Sequence, residues 1–276
     1  MLQETSGKFL DTFFRYFFRD EIRALELYSA IVGEKILGKV KIYDDGGFWA
    51  RQNDLLFIVN SQLIVMCEHQ STLSPNMPLR LLLYFSLILG AQVFGDKMVY
   101  GKSPIKIPTP KFYVLYNGEE KLHDQILKLS DTFLLQNEEV MLEATVKVIN
   151  INWEEGKPIL SRSPSLEGYA YLIAELRKNI LLGMDRDRAI GKAIETCIEK
   201  GKIAEFLKGR FEEVAAMLNF EYSQERCDEV MRQEGREEEK SETVIQMRTE
   251  GFDDEVISRI TKLPIEKIHE IFSTNN

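Results

Sequence analysis

Cysteine is scarce in this chain, and so is any segment suited to a membrane. Cys67, Cys197 and Cys227 are odd in number, far apart across 276 residues, and contain no C-x-x-C pair. That spacing argues against a disulfide framework or a cysteine zinc site and fits a reducing cytoplasm. The longest mostly apolar run, Leu81 to Phe94, is too short to span a bilayer and follows Arg80. The opening MLQETSGKFLDTFFRYFFRD has an early acid and no small-residue cleavage site, so no secretory signal is expected. Excess positive charge is missing too. The net charge of −9 disfavours nonspecific DNA binding by the molecule as a whole.

What is present is an ordinary globular composition, 44% apolar and 29% charged, in a chain longer than one typical domain. One substantial core plus an appendage is expected. The acid is unevenly spread: residues 1–130 carry 15 Lys and Arg against 14 Asp and Glu, and the remainder 20 against 30. A near-neutral first half with Lys35, Lys39, Lys41, Lys102, Lys106 and Lys111 can still touch phosphates, although each lysine taken singly also reads as plain surface.

The stretch NDLLFIVNSQLIVMCEHQSTLSPNMPLRLLLY, residues 53–84, is where polar residues interrupt apolar ground. It reads as two strands joined by Asn60-Ser61-Gln62, a polar loop, and a helix that Asn76 can cap. Side chains alternate along a strand, so Glu68 and Gln70 share one face, and Leu63, Val65 and Cys67 share the other. A carboxylate against buried sheet is costly unless it is paired or coordinates a metal. With a three-residue loop at 60–62, residue numbers across the hairpin sum to 122 and Asp54 falls opposite Glu68. A two-residue loop would put the two acids on opposite faces. The sequence therefore predicts an odd-length loop or a bulge.

Two opposed carboxylates are stable mainly around a divalent cation, and oxygen-only ligands suit Mg²⁺ or Mn²⁺. Such a metal acidifies bound water and neutralises charge on a phosphate, which makes phosphodiester hydrolysis the natural chemistry. Taken alone, Asp54 also reads as the polar end of a strand. In the helix after Pro78, Arg80 and Tyr84 stand on one face. For Arg80, a structural pairing with a core acid and a role holding Glu68, Gln70 or a substrate phosphate are evenly matched.

At Asp54 and Glu68-His69-Gln70 the chain resembles the PD-(D/E)XK nuclease superfamily. The surrounding NDLLFIV, CEHQST, NMPLRLLLY, IPTPKFYVLYNG, LKLSDTF and VININ resemble its Rpn branch of recombination-promoting, transposase-like nucleases, over most of residues 9–220. The resemblance implies a restriction-endonuclease-like α/β core and a Mg²⁺- or Mn²⁺-dependent DNA endonuclease. It implies Asp54 and Glu68 as metal ligands, the backbone carbonyl of His69 as a third, and Gln70 in place of the superfamily lysine. A neutral amide can orient the attacking water, but it cannot add positive charge. The histidine side chain itself faces away from Glu68 and reads as structural. The rival is a nuclease-fold scaffold without turnover, binding DNA or protein.

Along the chain, Phe9 to Phe18 and Glu21 to Leu37 show helical spacing, with Asp11 and Glu26 as acids that could reach the site but more readily read as solvated. Lys39–Tyr43 reads as a short strand, and Asp44-Asp45-Gly46-Gly47 as a turn. Both faces of 54–59 are apolar, as in a sheet covered by helices on each side. With the helix opened by Asn76 and Pro78 and the 111–116 strand, the order is helix, three strands, helix, strand. A further strand is expected over Leu142–Ile151. Helices follow over 166–182, 187–200 and 203–218, with Ser165 and Asp185 as N-caps and Gly183 and Gly201 as stops. Residues 1–155 are thus expected to form the core, and 156–220 a helical region packed on it. Residues 221–276 would form a charged helical tail, ending in a hairpin of Glu255–Ile260 and Ile265–Phe272. No heptad repeat argues for a dimer, although two-strand cutting would favour a homodimer.

Overall fold

The computed structural model describes residues 13–43, 55–93, 100–136, 138–155 and 157–274. The first helices are α1 (Phe13–Phe18) and α2 (Glu21–Val32), followed by β1 (Val40–Ile42), β2 (Leu55–Val59), β3 (Leu63–Gln70), α3 (Met77–Val93) and β4 (Thr109–Tyr116). Next come β5 (Gln125–Lys128), β6 (Thr145–Asn150), α4 (Pro158–Ser161), α5 (Pro164–Leu181), α6 (Arg186–Glu199) and α7 (Ala204–Lys208). The last three are α8 (Phe211–Thr249), α9 (Asp254–Thr261) and α10 (Ile265–Thr274). The class is mixed α/β, and the order of elements through β4 is the expected one. Asp11, Asp45 and Asp54 lie outside the described residues.

The six strands form one sheet in the order β1-β2-β3-β4-β6-β5. Strand β3 is antiparallel to β2 and parallel to β4, which is parallel to β6. The β2–β3 loop is the three residues Asn60–Gln62, with Asn60 and Ser61 in the left-handed region at φ 52° and 55°. Asn60 is anchored from below: its Oδ1 accepts the Lys39 N–H and its Nδ2 donates to the Leu37 carbonyl. The register runs from Val59 opposite Leu63 to Leu55 opposite Cys67. Every pair sums to 122, as an odd loop requires.

Both faces of the sheet are covered. Leu55, Phe57, Val59, Val65 and Cys67 pack with α1, α2, α5 and α6, whereas Leu56, Ile64 and Met66 pack with Met77, Leu81, Phe85 and Ile88 of α3. Residues 77, 81, 85 and 88 recur at helical spacing, which is what lets α3 lie flat on the strands.

Several boundaries differ from expectation, each for a local reason. The first helix is broken at Asp20, whose carboxylate caps α2 by accepting the Ile22 and Arg23 N–H groups. Helix α2 stops at Gly33, at φ 91°, and does not reach Leu37. The N-cap of α5 is Ser163, not Ser165, because Pro164 occupies the first helical position, where its missing N–H costs nothing. Asp185 caps α6, and Gly183 and Gly201 have positive φ at helix ends, as read. The 203–218 helix is instead two, α7 and α8. The latter continues through the charge-rich segment to Thr249. Strand β5, antiparallel to β6 at the sheet edge, had not been expected.

The chain divides after Asn219 into two compact units, 1–219 and 220–276. The second is built on Val244, Ile257 and Ile268. Among the described residues no helix is long and apolar enough to cross a membrane.

Candidate functional site at the carboxyl edge of the sheet

The parallel strands β3, β4 and β6 end at a common level, with Gln70 beside Tyr116 and Tyr116 beside Asn150. In open α/β sheets this carboxyl edge is where ligands bind. Here it collects polar residues on both faces of the sheet.

On the α3 face stands Glu68, 4% exposed. One turn into α3, Arg80 sends its guanidinium across the strand, and Nη2 donates to Glu68 Oε2 at 3.1 Å. The arginine side chain is 39% exposed and the glutamate side chain 5%, so a solvent-facing cation is tied to a buried anion. Arg80 Nε also reaches the Tyr84 hydroxyl at 3.4 Å, the i, i+4 neighbour on the same face.

Gln70, on that same face, is engaged by the loop that follows it. Its Oε1 accepts the Ser74 N–H at 3.1 Å, and its Nε2 lies 2.9 Å from Met77 Sδ. Asn76 opens α3 through its backbone carbonyl, which accepts from Arg80 N, while its own N–H donates to Ser74 Oγ.

On the opposite face His69 stacks on Phe14, with ring centroids 5.0 Å apart, and meets Tyr169 edge-on. Its Nε2 and the Tyr169 hydroxyl share a hydrogen bond of 3.0 Å. Burial, helped by the nearby charge of Arg177, pushes this imidazole down to about 3, so it is neutral at physiological pH. Its side chain belongs to the aromatic core, as its strand position implied.

Beyond β4 and β6 three asparagines and one arginine knit the strand ends together. Arg177 of α5 donates through Nη1 to Asn117 Oδ1 and Asn152 Oδ1, each at 3.0 Å, and through Nη2 to the Asn117 carbonyl. Asn152 Nδ2 donates to the Gly118 carbonyl, and Asn150 Oδ1 accepts the Asn152 N–H. Asn117 is 2% exposed, and its Nδ2 is buried without a hydrogen-bond partner among the described residues. Leaving such a donor unmet costs about 1–3 kcal/mol. At Gly118 a Cβ would sit 1.8 Å from the Ser71 carbonyl, so only glycine lets the loop after β3 close on the end of β4. A cavity of about 350 Å³ opens beside Asn152 and Arg177.

Sequence reasoning marked the two acids and Arg80 but missed the Asn117, Asn152 and Arg177 cluster. The available signals were Arg177, between Leu176 and Lys178 in AYLIAELRKNILL, and the asparagines of VININ. Glu26 is not a solvated helix residue: its carboxylate accepts from Ser163 Oγ, Ser165 Oγ and Ser165 N at the start of α5.

For a divalent metal, Glu68 is one hard-oxygen donor. Among the described residues no group of three or more His, Cys, Asp or Glu side chains is placed to hold a metal, so the fit rests on Asp54 as the second carboxylate. No family model matches the chain, and no curated protein or solved structure is significantly similar to it.

Proposed function

We propose that the chain is a metal-dependent DNA endonuclease of the PD-(D/E)XK type, of the Rpn transposase-like branch, acting in the cytoplasm. The observation that carries this reading is Glu68: a buried carboxylate at the carboxyl edge of the sheet, in a hairpin whose register sums to 122. Asp54 is the next residue before the Leu55–Cys67 pair. A buried carboxylate is costly unless it is paired or coordinates a metal.

In this reading Asp54 and Glu68 are the ligands of Mg²⁺ or Mn²⁺, with the His69 backbone carbonyl as a third. The bound ion supplies charge neutralisation and acidifies water. Gln70 orients the attacking water through its amide. The Ser74 contact occupies one lone pair of Oε1 and leaves the second for that task. Water attacks phosphorus in line, the bond to the departing oxygen breaks, and Arg80 steadies either the phosphate or Glu68. A homodimer would place two such sites on a duplex.

A second reading, a nuclease-fold scaffold binding DNA or protein without turnover, is favoured by Gln70. The residue standing where the superfamily has lysine is neutral and is engaged by Ser74 and Met77. Nicking of supercoiled plasmid with Mg²⁺, Mn²⁺ or EDTA separates the two readings. Cleavage that needs metal and disappears in Asp54→Ala and Glu68→Ala, with circular dichroism unchanged, supports the nuclease. Equal inertness of wild type and both variants on duplex and single-stranded DNA, with no Mn²⁺ stabilisation, leaves the scaffold.

A further inference from the structure

Arg177 has a charge that no carboxylate among the described residues pairs with. It is held by neutral oxygens alone, two from Asn117 and one from Asn152. These three bonds leave Nε–H and one Nη2–H among the five guanidinium donors. Because Nη1 and Nη2 both grip Asn117 from the end of the guanidinium, the remaining donors lie on its Nε side, an edge suited to two oxygens of one anion.

Arg177 lines the cavity of about 350 Å³, and that volume falls within the roughly 300–1,000 Å³ of ligand pockets. Lys121 also lines it, exposed and in no ion pair among the described residues, and adds a second cation. Lys178 is tied to Glu175 at 3.2 Å. The exposed carboxylates Glu119, Glu120, Glu154 and Glu155 line the cavity as well and repel a polyanion laid across it.

We propose that this cavity binds a terminal phosphate, a phosphomonoester carried by a free nucleotide or by a nucleic-acid end. Arg177 contacts two of its oxygens and Lys121 supplies the second charge, while Asn117 and Asn152 are positioning residues. A dianion matches both cations, whereas a single carboxylate leaves one of them unmatched. The cavity belongs to the α5 side of the sheet and Glu68 to the α3 side, so the site does not rest on the nuclease reading.

Thermal unfolding of the full-length chain with inorganic phosphate, a nucleoside 5′-monophosphate, acetate and NaCl at matched ionic strength tests this. Saturable stabilisation by phosphate and nucleotide is expected, absent with acetate and NaCl. Binding should weaken about tenfold or more in Arg177→Lys, which keeps charge but loses the fork. The exposed pair Glu154→Gln/Glu155→Gln should fold as wild type and bind about twofold tighter or better, which keeps the test decisive if Arg177 variants unfold. Anisotropy with 5′-phosphorylated and 5′-hydroxyl oligonucleotides tells the sources apart, since a nucleic-acid end requires preference for the phosphorylated strand. Unchanged binding in Glu68→Ala separates this site from the proposed metal site. No saturable effect of phosphate or nucleotide, an equal effect of acetate, or indifference to the glutamate changes overturns the proposal.

Discussion

Arg80 holds Glu68 across the boundary between helix α3 and strand β3, at 3.1 Å between Nη2 and Oε2. The pair joins a residue that water reaches to one that it does not. Its energetics are therefore asymmetric: the glutamate needs the arginine more than the arginine needs the glutamate.

Arg80→Met is expected to destabilise the fold by roughly 2–3 kcal/mol, below the 3–5 kcal/mol of fully buried pairs because the guanidinium faces solvent. Adding Glu68→Gln should recover part of that loss, because it removes the buried charge. Urea denaturation of the two single variants and the double measures the coupling. Simple additivity would show that the pair contributes nothing.

Gly118→Ala and Gly191→Ala should move stability in opposite directions. A Cβ at Gly118 meets the Ser71 carbonyl at 1.8 Å and the Tyr116 hydroxyl at 2.4 Å, both held in place by the sheet edge. A Cβ at Gly191, inside α6, finds nothing nearer than Phe211 Cζ at 3.8 Å. The first change is expected to lower the thermal midpoint markedly. The second should stabilise by about 0.5–1 kcal/mol through helix propensity.

Glu26→Ala removes the acceptor of two serine hydroxyls and one backbone N–H at the start of α5. A loss of about 1–2 kcal/mol is expected, the size of a helix cap. Hydrogen exchange should show faster opening at the first turn of α5.

Cys197 is fully buried in α6, and burial pushes its thiol up to about 12. The folded chain therefore resists deprotonation that the unfolded chain undergoes near pH 8.5. Stability linked to this group is present below that pH and declines as pH rises towards 12, by at most about 1.4 kcal/mol per pH unit. Cys197→Ala should flatten the alkaline limb of the stability curve, and iodoacetamide at pH 8 should leave Cys197 of the native protein unlabelled by mass spectrometry.

The hairpin was legible because its residues carry contradictory demands. Glu68 and Gln70 against Val65 and Cys67 admit one facing, and setting Asp54 opposite Glu68 called for an odd loop or a bulge; the three-residue loop Asn60–Gln62 is the odd one. Helix ends were less legible where two signals compete within three residues, as Ser163 and Ser165 do around Pro164. Strand β5 was invisible because four residues, Gln125 to Lys128, have no periodicity of their own and become a strand only by pairing with β6. Arg177 escaped notice for a related reason. Its partners Asn117 and Asn152 are 60 and 25 residues away, and only the parallel pairing of β4 with β6 brings them to one guanidinium.

That pairing also bears on the order of assembly. Strands β2 and β3 meet through a three-residue turn, so their closure entropy is small. Strand β3 meets β4 only after the chain has passed through α3, with Leu63 finding Thr109, and such long-range parallel contacts form slowly. Glu68 can thus acquire its hairpin neighbours early, while the asparagine and arginine cluster waits for the last strands to dock. A nascent or partly opened molecule would keep the carboxylate hairpin and lose the arginine clamp, which makes protection at Asn117 and Asn152 a sensitive clock for completion of the fold.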